Sequence, residues 1–161
     1  MKQINIYPKN KKKFIKLVKF SKLIIELCKK LKITPIAYGG LAVFIYTKNE
    51  KMNVNDIDFL AYENDIKKII PILKNKKIKY KYSKKWHVLQ IFENNLKVEI
   101  DSIDFWQKNP NKRYKKFKIN GLEIRVVNLK NLIKLYKRAS KTSMNKPLQY
   151  YKKYLMLKNL K

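Results

Sequence analysis

PIAYGGLAVFIYTKNEKMNVNDIDFL, residues 35–60, holds two of the chain's three glycines side by side and two aspartates spaced two apart. The short apolar run from Ile33 to Tyr38 reads as a strand, with Pro35 marking entry into extended chain. Gly39 and Gly40 break that run, and Leu41 to Tyr46 continues it as a helix. Val54 to Ala61 then reads as a second strand. Side chains two apart on a strand share a face, so Asp56 and Asp58 point one way and Ile57 the other. Two carboxylates on one face repel each other unless a proton or a cation sits between them. The pair is therefore costly in a core and well suited to Mg²⁺.

Outward from this stretch the chain alternates helix and strand signals. Phe14 to Leu31 places apolar residues mostly at i, i+3, i+4 spacing with lysines between them, the pattern of a core-packing helix. Glu63 to Leu73 has the same rhythm, with Pro71 expected to kink it or end it early. Trp86 to Phe92 and Leu96 to Ile103 read as strands joined at Glu93-Asn94-Asn95, a hairpin signal. On the second of them Leu96, Val98 and Ile100 face one way, and Lys97, Glu99 and Asp101 the other. Phe105 to Lys118 reads as a basic linker containing Pro110, and Ile119 to Val127 as a short hairpin or strand with Gly121 at its turn. Asn128 is placed to cap a helix over Leu129 to Ala139.

At 161 residues the chain suits one domain with a real core. Its net charge is +29, and Asp and Glu together number 11. Glutamate codons are as A-rich as those of lysine, so coding bias does not account for the imbalance. Such a surplus favours a polyanionic partner, RNA or DNA before an anionic membrane, or else serves solubility. No acidic residue follows Glu123, so the C-terminal part is the most positive region. Cys28, the single cysteine, reads as a small core residue in a reducing compartment. No run approaches the ~20 apolar residues of a membrane span, and the polar N-terminus lacks the form of a signal peptide. A cytoplasmic location is expected. His87, the single histidine, reads as a structural residue on a strand, and no Cys or His spacing suggests zinc. Lys74 to Lys85 interleaves lysines with Tyr80 and Tyr82 and leads into Trp86. Two readings stand for it: a track for single-stranded nucleic acid with stacking rings, or an edge strand guarded by lysines.

Gly39-Gly40 closing a strand, a helix after it, and Asp56-x-Asp58 on the next strand together resemble the nucleotidyltransferase superfamily, the polymerase-beta-like fold, and most closely its small single-domain members. The resemblance runs from about Phe14 to about Lys141. It implies an α+β fold, a nucleotidyltransferase-like mixed sheet flanked by helices. A single domain over 1–161 would carry a basic N-terminal arm at 1–13 and a basic C-terminal segment at 142–161. It also implies an Mg²⁺- or Mn²⁺-dependent enzyme that transfers a nucleoside monophosphate from an NTP to an acceptor hydroxyl and releases pyrophosphate.

In such an enzyme Asp56, Asp58 and Glu99 would hold the metal, and Asp101 on the same face is the alternative third carboxylate. Gly39 and Gly40, lacking Cβ, would let backbone approach the phosphates at a helix N-terminus. Leu132, Ile133, Lys137 and Ala139 match a helix motif of the small relatives, which makes Lys137 the lysine expected to reach the phosphates. Met52 and Val54 stand where relatives with Gly-Gly often carry an arginine and a Ser or Thr, and Lys51 is the substitute cation. The region SMNKPLQYYKKYLML lacks the acids that many relatives have there. The expected acceptor is RNA, for instance a tRNA 3′ end. The competing readings are a non-catalytic RNA-binding module on this scaffold, and a toxin–antitoxin component that modifies a partner protein.

Overall fold

A computed structural model describes residues 1–105, 114–143 and 146–160 of the chain. Among these, eight strands form one mixed sheet in the order β1-β7-β8-β2-β3-β6-β5-β4. The strands are β1 (Lys2–Ile4), β2 (Ile36–Tyr38), β3 (Ile57–Ala61), β4 (Lys79–Ser83), β5 (Val88–Glu93), β6 (Leu96–Ser102), β7 (Tyr114–Ile119) and β8 (Leu122–Val127). The helices are α1 (Lys11–Lys30), α2 (Gly39–Thr47), α3 (Glu63–Asn75), α4 (Leu129–Thr142) and α5 (Pro147–Lys158). This is the α+β mixed sheet with flanking helices that the sequence predicts.

At the centre of the sheet β2, β3 and β6 lie side by side. β2 and β3 pair antiparallel across the Gly39-Gly40 connection, while β3 pairs parallel with the more distant β6. The core-facing residues of β6, Leu96, Val98 and Ile100, are buried, and α1 and α3 pack behind that strand. Phe14 of α1 meets Phe44 of α2 edge-on at 5.7 Å between ring centroids, and both side chains are fully buried. Cys28 lies in this core, where burial pushes its thiol up to about 12, so it stays protonated and inert.

Several boundaries differ from the expectations. The second strand of the opening stretch begins at Ile57, because Val54 is held in the preceding loop by Asn10. The Asn10 side chain donates to the Val54 carbonyl at 2.7 Å and accepts from its N–H at 3.0 Å. Asp56 therefore sits one residue ahead of the strand. β5 begins at Val88, so Trp86 and His87 lie in a turn and not on a strand, and His87 has φ 52°. α3 runs through Pro71 to Asn75. The expected linker ends in strand, since Tyr114–Ile119 pairs with β8; its Pro110 lies outside the described residues. The N-terminal stretch supplies β1, paired parallel with β7, and the first residues of α1. Asn128 caps α4, accepting from the Asn131 N–H at 2.9 Å.

Candidate active site

The sheet face opposite α1 and α3 forms the floor of a cleft of about 960 Å³. Strand order sets what lies along that floor. The β2–α2 junction brings Tyr38, Gly39 and Gly40; β3 and the residues before it bring Asp56 and Asp58; β6 brings Lys97, Glu99 and Asp101; the turn before β5 brings Lys85, Trp86 and His87. α4 and α5 supply a wall with Tyr136, Arg138, Tyr150 and Lys153. The four predicted carboxylates thus meet in one cleft, together with both predicted glycines.

Register separates the two candidates for third carboxylate. Glu99 is the direct partner of Asp58 on the neighbouring parallel strand, whereas Asp101 is the partner of Leu60, one step further in. Glu99 Oε1 accepts from Gln90 Nε2 at 2.7 Å and from the Lys97 ammonium at 2.6 Å. Asp101 is buried, and the Tyr38 hydroxyl donates to its Oδ2. Burial pushes the Asp101 carboxyl up to about 7.

Asp58 is also pushed up to about 7, first by burial and then by the charges of Asp56 and Glu99, against the opposing pull of Lys153 and Lys97. Gly39 makes the close approach of this half-buried side chain possible. A Cβ at Gly39 would stand 1.8 Å from Asp58 Oδ2, and its φ of +63° is one that L side chains rarely adopt. A Cβ at Gly40 would meet nothing within 4 Å. The two adjacent glycines therefore have different tasks: Gly39 admits the aspartate, and Gly40 keeps the cleft open.

Lys97 carries the positive charge nearest the carboxylates. Its ammonium lies 3.1 Å from Asp56 Oδ2 and 2.6 Å from Glu99 Oε1. Burial lowers its pKa, but the two carboxylates outweigh this and the net direction is upward. As they stand, and among the described residues, no three His, Cys, Asp or Glu side chains are arranged to hold a metal ion. The donor chemistry still suits a hard divalent cation: all carboxylate oxygens, with Asp58 destabilised by its neighbours' charges in the way a cation would relieve. What stands between Asp56 and Glu99 is the Lys97 ammonium.

Solved structures with this architecture include the lincosamide antibiotic adenylyltransferase LnuA bound to lincomycin. Its TM-score is 0.60 at 16% identity, over 88% of this chain and 97% of that one. ANT(2″)-Ia in complex with adenylyl-2″-tobramycin is similar at TM-score 0.64 and 12% identity, over 88% of this chain and 87% of that one. The Megavirus polyadenylate synthase is similar at TM-score 0.58 and 18% identity, over 88% of this chain but 32% of that one. The chain has the nucleotidyltransferase fold. No protein-family model matches the sequence, and no curated protein does either. Among the described residues no helix is long and apolar enough to cross a membrane.

On this nucleotidyltransferase fold, Lys137 is not among the residues lining the cleft; it is exposed on α4. Leu132, Ile133 and Tyr136 are the buried residues that set the phase of that helix. Tyr136 and Arg138, to either side of Lys137, line the cleft instead. The lysine that the helical wall turns into the cleft is Lys153 of α5. Burial lowers its pKa, while Asp58 and Asp56 pull it up, and its ammonium lies 5.5 Å from the Tyr136 ring centroid. Tyr150 of α5 stands 6.0 Å from Tyr136, ring to ring. Sequence reasoning missed this wall because only the packing of α5 on α4 assembles it; no local spacing points to it.

At Tyr80 and Tyr82 the structure favours one of the two readings of this stretch, the lysine-guarded edge strand. Both tyrosines are half-buried and packed against the core, while the alternating Lys79 and Lys81 are exposed. The Tyr82 hydroxyl donates to Glu63 Oε1. β4 is thus an edge strand with its rings turned inward and its lysines outward, and the exposed ring next to it is Trp86.

Proposed function

We propose that this chain is a divalent-metal-dependent nucleotidyltransferase that moves a nucleoside monophosphate from an NTP to a hydroxyl of RNA. The observation that carries this reading is the order of groups across the cleft floor: open glycine, paired aspartates, opposed glutamate. The bound metal would stabilise the charge that builds on the phosphoryl oxygens and the leaving group. Asp56, Asp58 and Glu99 would hold it, with Lys97 displaced. Gly40, at the N-terminus of α2, lets backbone N–H groups approach the triphosphate. Lys153 and Arg138 set positive charge against it from the opposite wall. Glu99 belongs to the strand nearer β5 and orients the acceptor hydroxyl, taking its proton as the oxygen attacks the α-phosphorus; pyrophosphate leaves. RNA is favoured over a cationic acceptor by the net charge of +29. Even the cleft lining sets Lys85, Lys97, Arg138, Lys146 and Lys153 against four carboxylates. The direct test is incubation with each α-labelled NTP and total RNA, with and without Mg²⁺. Label that stays unincorporated in every mixture refutes the enzyme.

Lys97 gives a measurable consequence. Removing its ammonium takes away the competitor for the carboxylates, so Lys97→Met should bind Mn²⁺ more tightly than wild type. The pair is about one-third exposed on each side, so the gain is modest, up to roughly fivefold. The metal-free variant should also melt lower, because Asp56 and Glu99 lose their counter-charge. Titration calorimetry and thermal melts read both, and unchanged Mn²⁺ affinity would remove Lys97 from the site.

The RNA reading has its own measurement. If about six phosphates are neutralised, log K against log salt should slope by roughly −4 to −5. Replacing Lys76, Lys77, Lys79 and Lys81 with glutamine should flatten it, since Lys79 and Lys81 point outward from the sheet edge. A slope near zero for wild type would end the nucleic-acid reading.

A further inference from the structure

The sheet places the glycine turn on one side of the carboxylates and the turn before β5 on the other. An NTP held at Gly40 leaves that second side to the acceptor. There the cleft wall carries Trp86, 71% exposed. A lone exposed aromatic is ordinary; this one is not placed at random. The Lys85 ammonium lies 5.2 Å from the indole centroid, a cation–π contact that also sets a charge beside the ring. The turn is anchored and not loose. Trp86 N–H donates to Ser83 Oγ at 3.3 Å, and the His87 carbonyl accepts from Ser102 N–H at 2.9 Å. His87 Nδ1 stands 3.4 Å from Glu63 Oε1, with the His87 backbone left-handed at φ 52°. Glu63 is held ionised: burial raises its pKa, but hydrogen bonds from Tyr82, His87 and Ser102 prevail and lower it. An exposed indole on a fixed turn, directly after β4 with its exposed Lys79 and Lys81, is a platform for a flat, uncharged ring attached to phosphate.

We propose that the turn at residues 84–87 docks the acceptor, with the Trp86 indole stacking on the terminal unpaired base of an RNA 3′ end and Lys85 meeting its phosphate. This rests on the RNA reading above. It assigns the stacking to Trp86, since Tyr80 and Tyr82 are committed to the core.

Trp106→Phe leaves Trp86 as the sole tryptophan, since the chain has two. The probes are a single-stranded oligoribonucleotide, the same strand with an abasic 3′ end, a blunt duplex of it, and a polyamine aminosugar. The single strand should quench Trp86 emission saturably, and the abasic strand and duplex should quench it weakly. Trp86→Ala should cost roughly five- to a hundredfold in affinity for the single strand, with the salt slope unchanged, because stacking releases no counterions. Its exposure means the variant keeps its fold, which a thermal melt checks. Steep salt-dependent RNA binding with silent Trp86 emission and a normal Trp86→Ala affinity would overturn the docking site and leave the RNA reading standing. Failure of wild type to bind any RNA would overturn both. Quenching by the aminosugar alone would overturn both in favour of a small cationic acceptor.

Discussion

Asp58→Asn should lower kcat/KM by about a thousandfold or more, the size of several kcal/mol of lost charge stabilisation, while making the metal-free protein more heat-resistant at pH 8. The two effects have one origin. Asp58 is half-buried against Gly39, and desolvation there, with the charges of Asp56 and Glu99, pushes its carboxyl from the ordinary 3.8 up to about 7. Between these values the folded chain keeps a proton that the unfolded chain releases. The stability associated with that proton is therefore full below about pH 4 and is lost as pH rises through 7. Above 7 the metal-free wild type carries a partly desolvated charge that asparagine does not, so the variant's advantage is largest there and vanishes near pH 4. Mn²⁺ should raise the melting point of wild type and leave that of Asp58→Asn nearly unchanged. Full Mg²⁺-dependent activity in the variant would remove Asp58 from the chemistry. Equal melting points at pH 8 would mean that its carboxylate is not strained.

The floor of this cleft was legible in the sequence because strands obey a period of two. Lys97, Glu99 and Asp101 share a face by alternation alone, and they line the cleft together. Alternation could not choose between Glu99 and Asp101, since both satisfy it. Pairing with β3 is what puts Glu99 beside Asp58 and Asp101 beside Leu60. The same rule misled where the backbone stopped being extended. His87, with its left-handed backbone, and Trp86 read as strand but form a turn, so the sequence points to the ring of Trp86 and not to its place on the cleft wall. At Lys79–Ser83 the alternation was visible but not which set faces inward, because lysine and tyrosine both tolerate partial burial. The edge position of β4 decides it: rings pack, ammonium groups face water.

The helical wall was less legible. Matching Leu132, Ile133, Lys137 and Ala139 to a motif located α4 but not its rotation. Tyr136 points inward, and Lys137, about 100° further round, is exposed. Lys153 and Tyr150 lie in a stretch whose sequence departs from the small relatives. They enter the cleft only because α5 folds back along α4, a long-range contact with no local signature.

Gly39→Ala and Gly40→Val should separate the two glycines by opposite outcomes. At Gly39 the added Cβ would stand 1.8 Å from Asp58 Oδ2, 2.7 Å from its Cγ and 2.9 Å from its Cβ, all too close to survive without displacing the aspartate. The φ of +63° adds a backbone cost of about 1–2 kcal/mol for any L side chain. Gly39→Ala should therefore lower the melting point and abolish transfer together. In an Asp58→Gly background the clash partner is gone, so the same substitution should cost less stability, a coupling that a double-mutant cycle reads directly. At Gly40 the Cβ meets nothing within 4 Å, and valine is no worse than glycine in a helix. Gly40→Val should melt like wild type and bind Mn²⁺ normally, yet raise KM for NTP by about tenfold or more, the worth of one charge-assisted hydrogen bond between backbone and phosphate. The split sits in KM because a branched side chain obstructs the triphosphate before and during reaction alike. A folded Gly40→Val with normal KM would place the triphosphate elsewhere in the cleft. Loss of stability in Gly40→Val equal to that in Gly39→Ala would mean that the pair acts as one structural turn and not as a buried support beside an open floor.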